Sequence, residues 1–222
     1  MVKTVGKSDL PQFEYWTNRW KNGDTPWHRD GVCPLLEKNQ DVILAGKQDA
    51  QVYLPMCGKA PDLKWFYGKG HRVVGVEYIE EVARGFFVDN SLPFDEAECP
   101  VLKCKILQSA DKRLRIFVCS VFDFNKSCAG AMDIVWDRGA LSSIDVELRG
   151  RQYCSLLLLS SFFYPIFTQF WVSSFSVYYS RGTSIPGAEL ISNKNLHYIS
   201  FLTKRENMAQ CNLEVQHLPL KS

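Results

Sequence analysis

Gln51-Val52-Tyr53-Leu54-Pro55-Met56-Cys57-Gly58-Lys59-Ala60, continuing to Gly70-His71-Arg72-Val73-Val74-Gly75-Val76-Glu77, decides the fold. An apolar run stops at a small-residue turn, an amphipathic segment follows, and a second apolar run stops at an acid. This order reads as a strand, a tight turn into a helix, and a parallel strand with a carboxylate at its tip. Such a unit suits a nucleoside ligand. Gly58 lets backbone approach the ligand because no Cβ stands in the way. Glu77, about 20 residues further on, can accept hydrogen bonds from both ribose hydroxyls.

The same alternation extends on both sides. On the N-terminal side, Phe13, Trp16 and Trp20 recur at helical spacing over residues 10–21, and Asn22-Gly23-Asp24 closes that helix through a left-handed residue. Thr25-Pro26-Trp27-His28 then forms a rigid loop carrying another aromatic. A second helix is expected over residues 32–44. After Glu77, residues 79–90 read as a helix with Val82, Phe86 and Phe87 inward. Residues 91–100 are acidic and read as irregular. Residues 101–107 and 113–118 are β-rich and separated by Ser109-Ala110-Asp111-Lys112, which predicts a hairpin. Ser120-Val121-Phe122-Asp123 is a strand-end loop, and residues 132–136 form a short buried strand ending in Asp137-Arg138-Gly139-Ala140.

Strands alternating with helices in this rhythm indicate an α/β fold, a doubly wound and mostly parallel sheet with helices on both faces. Ligands of such sheets sit at the carboxyl ends of the strands. Gly58, Glu77, Ser120 and Arg138 all fall there and form one candidate group.

At 222 residues, with 46% hydrophobic and 13% aromatic content, the chain can bury a substantial core and is expected to form one domain. The net charge of +2 is spread thinly, so no basic footprint points to nucleic acid. The first ten residues lack the apolar core of a signal peptide. The eight cysteines are irregularly spaced with no Cys-x-x-Cys pair, which reads as free thiols in a reducing cytoplasm and gives no metal site. Residues 152–180 carry no charge. A membrane span needs about 20 apolar residues, yet Pro165, Gln169 and many serines interrupt this stretch. A buried helix over 148–161 turning at Pro165 into a core strand over 169–178 fits it equally well. Beyond it, residues 180–195 are rich in Gly, Ser and Pro, and residues 195–202 and 211–218 read as strands.

Five of these motifs, in order, resemble the thiopurine S-methyltransferase family. They are Trp16-x-x-x-Trp20-Lys21-Asn22-Gly23-x-Thr25-x-Trp27-His28, Leu54-Pro55-Met56-Cys57-Gly58-Lys59, Val73-Val74-Gly75-Val76-Glu77, Cys119-Ser120-Val121-Phe122-Asp123 and Asp133-Ile134-Val135-Trp136-Asp137-Arg138-Gly139-Ala140-Leu141. The match runs from about Glu14 to Tyr153. It implies a Rossmann-like class I methyltransferase that binds S-adenosyl-L-methionine and methylates an aromatic or heterocyclic thiol, as a cytoplasmic monomer with no membrane and no nucleic-acid partner. Residues 1–45 would be an N-terminal helical lid. Carried over residue by residue, cofactor binding falls to Trp16, Trp20, Trp27, Met56, Cys57, Gly58, Glu77, Ser120, Val121 and Arg138. Trp27 and Arg138 would also meet the acceptor, with Arg138 as the catalytic residue.

Methyl transfer from a sulfonium needs orientation and a dry pocket more than a strong base, which agrees with the lack of any Ser/His/Asp or Cys/His constellation. Indole faces attract a cation by about 0.5–2 kcal/mol. Plainer readings exist for each residue. Phe13, Trp16 and Trp20 can be a core stripe, Glu77 a solvated carboxylate, Arg138 a structural partner of Asp137 or Asp133, Cys57 a small packing residue, and His28 an exposed or capping side chain.

The resemblance fades after Tyr153. The family's Pro-Gly-Pro-Pro-Phe-like loop has only Pro186-Gly187-Ala188-Glu189-Leu190 as a counterpart, and residues 180–222 form a divergent segment. Cys211-Asn212-Leu213-Glu214-Val215-Gln216 resembles the family's sixth strand, and the final strand that inserts beside the fifth is expected to be missing. That would leave an apolar strand at an incomplete, open edge and favour association. An alternative function is therefore a cofactor-binding but catalytically impaired or regulatory protein. A dinucleotide-dependent oxidoreductase shares the turn, but the full Gly-x-Gly-x-x-Gly pattern is absent.

Overall fold

The two deciding runs are neighbouring parallel strands, β1 (Gln51–Leu54) and β2 (Arg72–Glu77), with Gln51 opposite Arg72 and Leu54 opposite Gly75. They belong to a computed structural model that describes residues 10–145, 148–152, 159, 166–169, 188–193 and 196–201, with side chains described within 13–145, 148–152 and at 159. Seven more strands extend the sheet: β3 (Asp95–Glu98), β4 (Lys105–Gln108), β5 (Leu114–Val118), β6 (Ile134–Arg138), β7 (Ile166–Gln169), β8 (Ala188–Asn193) and β9 (Leu196–Phe201). Their order is β3-β4-β5-β2-β1-β6-β7-β9-β8. The five central strands run parallel and the outer pairs antiparallel.

Period-two alternation sends side chains to two cores. Val52, Leu54, Val73, Ile116, Ile134 and Trp136 face one side. They pack there against Leu36 of α2 (Pro34–Lys38), Ile43 of α3 (Gln40–Leu44), Leu63 and Phe66 of α4 (Pro61–Gly68), and Phe86 and Phe87 of α5 (Glu80–Asp89). Tyr53, Val74, Val76, Phe117 and Val135 face the other side, with Phe124, Met132, Ile144 and Leu159. Each fully buried large apolar side chain contributes roughly 1.5–3 kcal/mol relative to exposure. Helical residues 148–152 and 159 lie on this second side, so both faces are covered as a doubly wound sheet requires.

The N-terminal helix α1 spans Leu10–Lys21 as its aromatic spacing predicts. It ends through Gly23 at φ +67°, with Gly23 N–H bonded to Trp20 O at 3.2 Å and Asp24 N–H to Arg19 O at 3.0 Å. The helix expected over 32–44 is two short helices. Asn39 breaks it by leaving helical geometry and donating its side-chain amide to Leu35 O at 2.9 Å, the local competition typical of Asn.

Other expectations move by a few residues. The stretch 91–100 contains β3, an exposed acidic strand whose charges suit a sheet edge. Of residues 101–107 only those from Lys105 on are in β4, while the hairpin with β5 forms as expected. The strand placed at 132–136 runs from Ile134 to Arg138, so Asp137 and Arg138 are within it. After Pro165 the strand begins at once, as β7, rather than at 169; residues 170–178 lie outside the described ones.

The sheet edge beyond β7 is altered rather than left open. β9 lies antiparallel beside β7, with Ile166 opposite Phe201, and β8 continues outward from a stretch read as loop. Residues 211–218 lie outside the described residues. Among the described residues no helix is long and apolar enough to cross a membrane.

Candidate functional site

The turn from β1 into α4 carries two left-handed residues, Met56 at φ +44° and Gly58 at φ +53°. Cys57 N–H donates to Val76 O at 2.9 Å, tying the turn to β2. Gly58 N–H donates to Glu77 Oε2 at 3.0 Å, and Ile79 N–H to Glu77 Oε1 at 2.9 Å. The carboxylate at the tip of β2 is thus fixed to the turn. Burial raises the Glu77 carboxyl above its ordinary value, while hydrogen bonds from Ile79, Gly58 and Tyr78 N–H oppose the rise. A carboxylate offers about four lone-pair sites, so with three N–H donors in place Glu77 keeps capacity for a further donor.

Above the turn lie the tryptophans of α1 and the following loop. A Cβ on Gly58 would sit 3.1 Å from the Trp20 ring, a tight contact that glycine avoids. Trp27 meets Trp16 at 5.0 Å and Trp20 at 6.0 Å between ring centroids, both edge to face. Phe13 packs on Tyr78 at 4.4 Å, and the Arg19 guanidinium covers Trp27 at 4.8 Å. The aromatic stripe is therefore not sheet core; it covers the strand ends. His28, tilted against Trp20 at 5.7 Å, is held below its ordinary value by burial and then by the Arg138 charge.

Beyond β5, Ser120 Oγ accepts from Phe122 N–H at 3.2 Å and Ser120 O from Asp123 N–H at 3.1 Å, and the turn presents Val121, 6% exposed. At the end of β6, Arg138 Nε lies 3.4 Å from Asp62 Oδ2 of α4. Asp62 is fully buried and also accepts from Trp136 Nε1 at 2.9 Å and Cys33 N–H at 2.8 Å. The partner of Arg138 is therefore neither Asp137 nor Asp133. Asp137 accepts from Ala140 and Leu141 N–H at 2.7 and 3.2 Å, and burial pushes its carboxyl up to about 7. Asp133 holds Lys47 at 2.6 Å and Gln51 N–H at 2.8 Å. Asp62 was missed because an acid in a helix's first turn reads as an ordinary dipole partner.

One cavity of about 480 Å³ gathers Trp16, Trp20, Trp27, Met56, Cys57, Gly58, Glu77, Ser120, Val121 and Arg138. All ten residues picked out in the sequence line it, within the usual size range for small-molecule sites. His28, Asp62 and Tyr78 line it too. Cys57 faces it and also packs in the core, where burial raises its thiol well above the ordinary value. Among the described residues no group of three or more His, Cys, Asp or Glu is placed to hold a metal ion.

Residues 12–160 match a family model described as Thiopurine S-methyltransferase (TPMT). The chain is similar to the thiopurine S-methyltransferase of Equus caballus, 34% identical over 157 residues, covering 69% of this chain and 63% of that protein. It is similar also to that of Bos taurus, 36% identical over 155 residues, covering 68% and 62%. The chain thus spans less than two thirds of the length of these relatives. Among solved structures, its fold is similar to a magnesium protoporphyrin IX methyltransferase from Synechocystis with bound SAM, with TM-score 0.57, 12% identity, and 91% and 100% of the two chains covered. A 1,6-didemethyltoxoflavin-N1-methyltransferase from Burkholderia thailandensis gives TM-score 0.55, 15% identity, and 96% and 80% coverage.

Proposed function

Because the chain belongs to the thiopurine S-methyltransferase family, we propose that it transfers a methyl group from S-adenosyl-L-methionine to the sulfur of an aromatic or heterocyclic thiol such as a thiopurine. One observation carries this reading: Glu77, hydrogen-bonded to Gly58 N–H at 3.0 Å, shares a single cavity with Trp20, whose ring lies over Gly58.

The residues suit the cofactor. Glu77, at the tip of β2, keeps acceptor capacity for the ribose. Ser120 and Val121 are at the strand end where an adenine would rest, and Met56, Cys57 and Gly58 line the near side. The faces of Trp16, Trp20 and Trp27 suit a cationic sulfonium. When bound, S-adenosylmethionine supplies the electrophilic methyl group.

The chain's own task is then to bind, orient and exclude water. Within the lid expected over residues 1–45, of which 1–9 lie outside the described residues, α1 and Trp27 roof the cavity and Arg19 braces Trp27. Arg138, anchored by Asp62, stands at the acceptor end; its positive charge favours the thiolate form of an aromatic thiol. Trp27 offers that thiol's ring an aromatic neighbour. No protein general base is required, since heteroaromatic thiols are acidic. The six described cysteines are free thiols, which supports a reducing cytoplasmic setting, and the thinly spread charge supports a small-molecule acceptor over nucleic acid. A monomer completes the proposal.

The test is turnover. Incubation with S-adenosylmethionine and a thiopurine should yield the S-methylated thiopurine and S-adenosylhomocysteine in equal amounts. Folded protein that methylates no member of a panel of aromatic thiols would defeat the reading.

A further inference from the structure

Four cysteines that the site does not explain meet on the second face of the sheet. Cys99 follows β3, Cys104 precedes β4, Cys119 follows β5, and Cys128 lies in α6 (Lys126–Ala129). The first three form a row across adjacent strands. Glu98 opposite Lys105, continued by one residue, sets Cys99 opposite Cys104. Ile106 opposite Phe117, continued by two, sets Cys104 opposite Cys119.

The two pairings differ. Cys99 N–H donates to Cys104 O at 2.8 Å, so the Cys104 backbone is turned toward β3. Cys119 N–H donates to Glu77 O at 3.2 Å, so the Cys119 backbone is turned toward β2. Cys104 and Cys119 therefore face each other as a non-hydrogen-bonded pair, the kind in which Cα atoms approach to about 4.5 Å and side chains lie closest. That separation is within disulfide range, roughly 4.4–6.8 Å. The thiols of Cys119 and Cys99 lie near enough to influence that of Cys104, Cys119 the more strongly. Cys119 also lines the cavity beside Ser120 and Val121.

We infer that Cys104 and Cys119 are a peroxide-oxidisable thiol pair, a modification site whose disulfide reshapes the Ser120–Val121 end of the cavity. The oxidant is a hydroperoxide. The Cys104 thiolate attacks its distal oxygen: an S–O bond forms, the O–O bond breaks, and the departing alkoxide or hydroxide takes the Cys104 proton. Cys119 sulfur then attacks the sulfenic sulfur, forming the S–S bond and expelling hydroxide, which leaves as water with the Cys119 proton. Two thiols lose two electrons and two protons, and the hydroperoxide becomes an alcohol (or water) and water.

Several features assign Cys104 the first step. It is half-buried, whereas Cys99 is fully buried. The neighbouring Cys119 thiol holds the Cys104 thiol below its ordinary value, and the same proximity, with burial, raises Cys119. Burial pushes Cys128 up to about 11, leaving it a poor nucleophile.

Only the effect on ligand binding rests on the proposed cofactor reading; the disulfide does not. The experiment uses the reduced 222-residue chain exposed to hydrogen peroxide, alkylated, digested without reductant and analysed by mass spectrometry. A Cys104–Cys119 cross-linked peptide pair that dithiothreitol removes is expected. Titration with S-adenosylhomocysteine should show about fivefold or more weaker binding after oxidation, a shift of roughly 1 kcal/mol, restored by dithiothreitol. Cys104→Ser and Cys104→Ala should form no such link and keep their affinity under peroxide. Cys104 and Cys119 both remaining alkylatable, over-oxidation without a link, or a Cys99–Cys104 link would overturn the pair. A link that leaves the affinity unchanged would overturn the coupling. Failure of the reduced protein to bind S-adenosylhomocysteine would instead defeat the cofactor reading, while the peptide map still decides the disulfide.

Discussion

Asp62, fully buried in the first turn of α4, holds Arg138 at the end of β6 across 3.4 Å, and so ties the helix after the first strand to the Arg138 end of the cavity. The same carboxylate satisfies Trp136 Nε1–H and Cys33 N–H. It thus joins α4, β6 and the start of α2 at one point.

Asp62→Ala would leave those donors and the Arg138 charge without their acceptor. Removing one partner of a buried charged pair costs about 3–5 kcal/mol, which lowers the melting temperature by roughly 6–20 °C for a chain of this size. Asp62→Asn, retaining one acceptor oxygen, should fall between. In the surviving protein KM for the thiol should rise more than the dissociation constant of S-adenosylhomocysteine. Unchanged melting for Asp62→Ala would show that this carboxylate anchors nothing.

Gly58→Ala tests the turn. Its φ of +53° costs an L-residue about 1–2 kcal/mol. The added Cβ also meets Trp20 at 3.1 Å. Tryptophan fluorescence should shift and S-adenosylhomocysteine should bind at least about fivefold more weakly, ~1 kcal/mol. Wild-type spectrum and affinity would mean that Trp20 does not rest on the turn.

Asp137 predicts a pH dependence. Its carboxyl rises by burial from an ordinary 3.8 to about 7 on folding. The folded state therefore binds the proton more tightly, and this stabilisation is complete below about pH 4 and lost as pH rises toward 7. One proton changes stability by at most about 1.4 kcal/mol per pH unit. Glu77, also raised, acts in the same direction. His28 and His71, both lowered, act the opposite way in wild type and variant alike. Between pH 5 and pH 7.5 the wild type should therefore lose melting temperature relative to Asp137→Asn. Parallel curves for the two proteins would contradict this assignment.

The sequence shows the site more fully than the fold's margins. Gly58, Glu77, Ser120 and Arg138 were legible because strand ends are marked locally, by an apolar run stopping at a turn or an acid. The aromatic stripe was legible as a helix face, though periodicity alone does not distinguish a lid from core. Asp62 was not legible, since burial is a tertiary property and its partners lie 29, 74 and 76 residues away. Asn39 broke a helix that hydrophobic spacing had drawn as continuous. β3 hid behind Asp-Glu-Ala-Glu, a composition that avoids strands unless an edge needs charge. β9 was read as a strand, but its insertion beside β7 is a long-range pairing that no local pattern encodes.

Titration calorimetry with S-adenosylhomocysteine on wild type and Glu77→Ala tests the central claim most directly. The wild type should bind one equivalent. The variant should bind at least about tenfold more weakly, 1.4 kcal/mol or more, for loss of the carboxylate proposed to receive the ribose. A folded wild type that binds nothing, or a variant that binds as tightly as the wild type, would contradict the account.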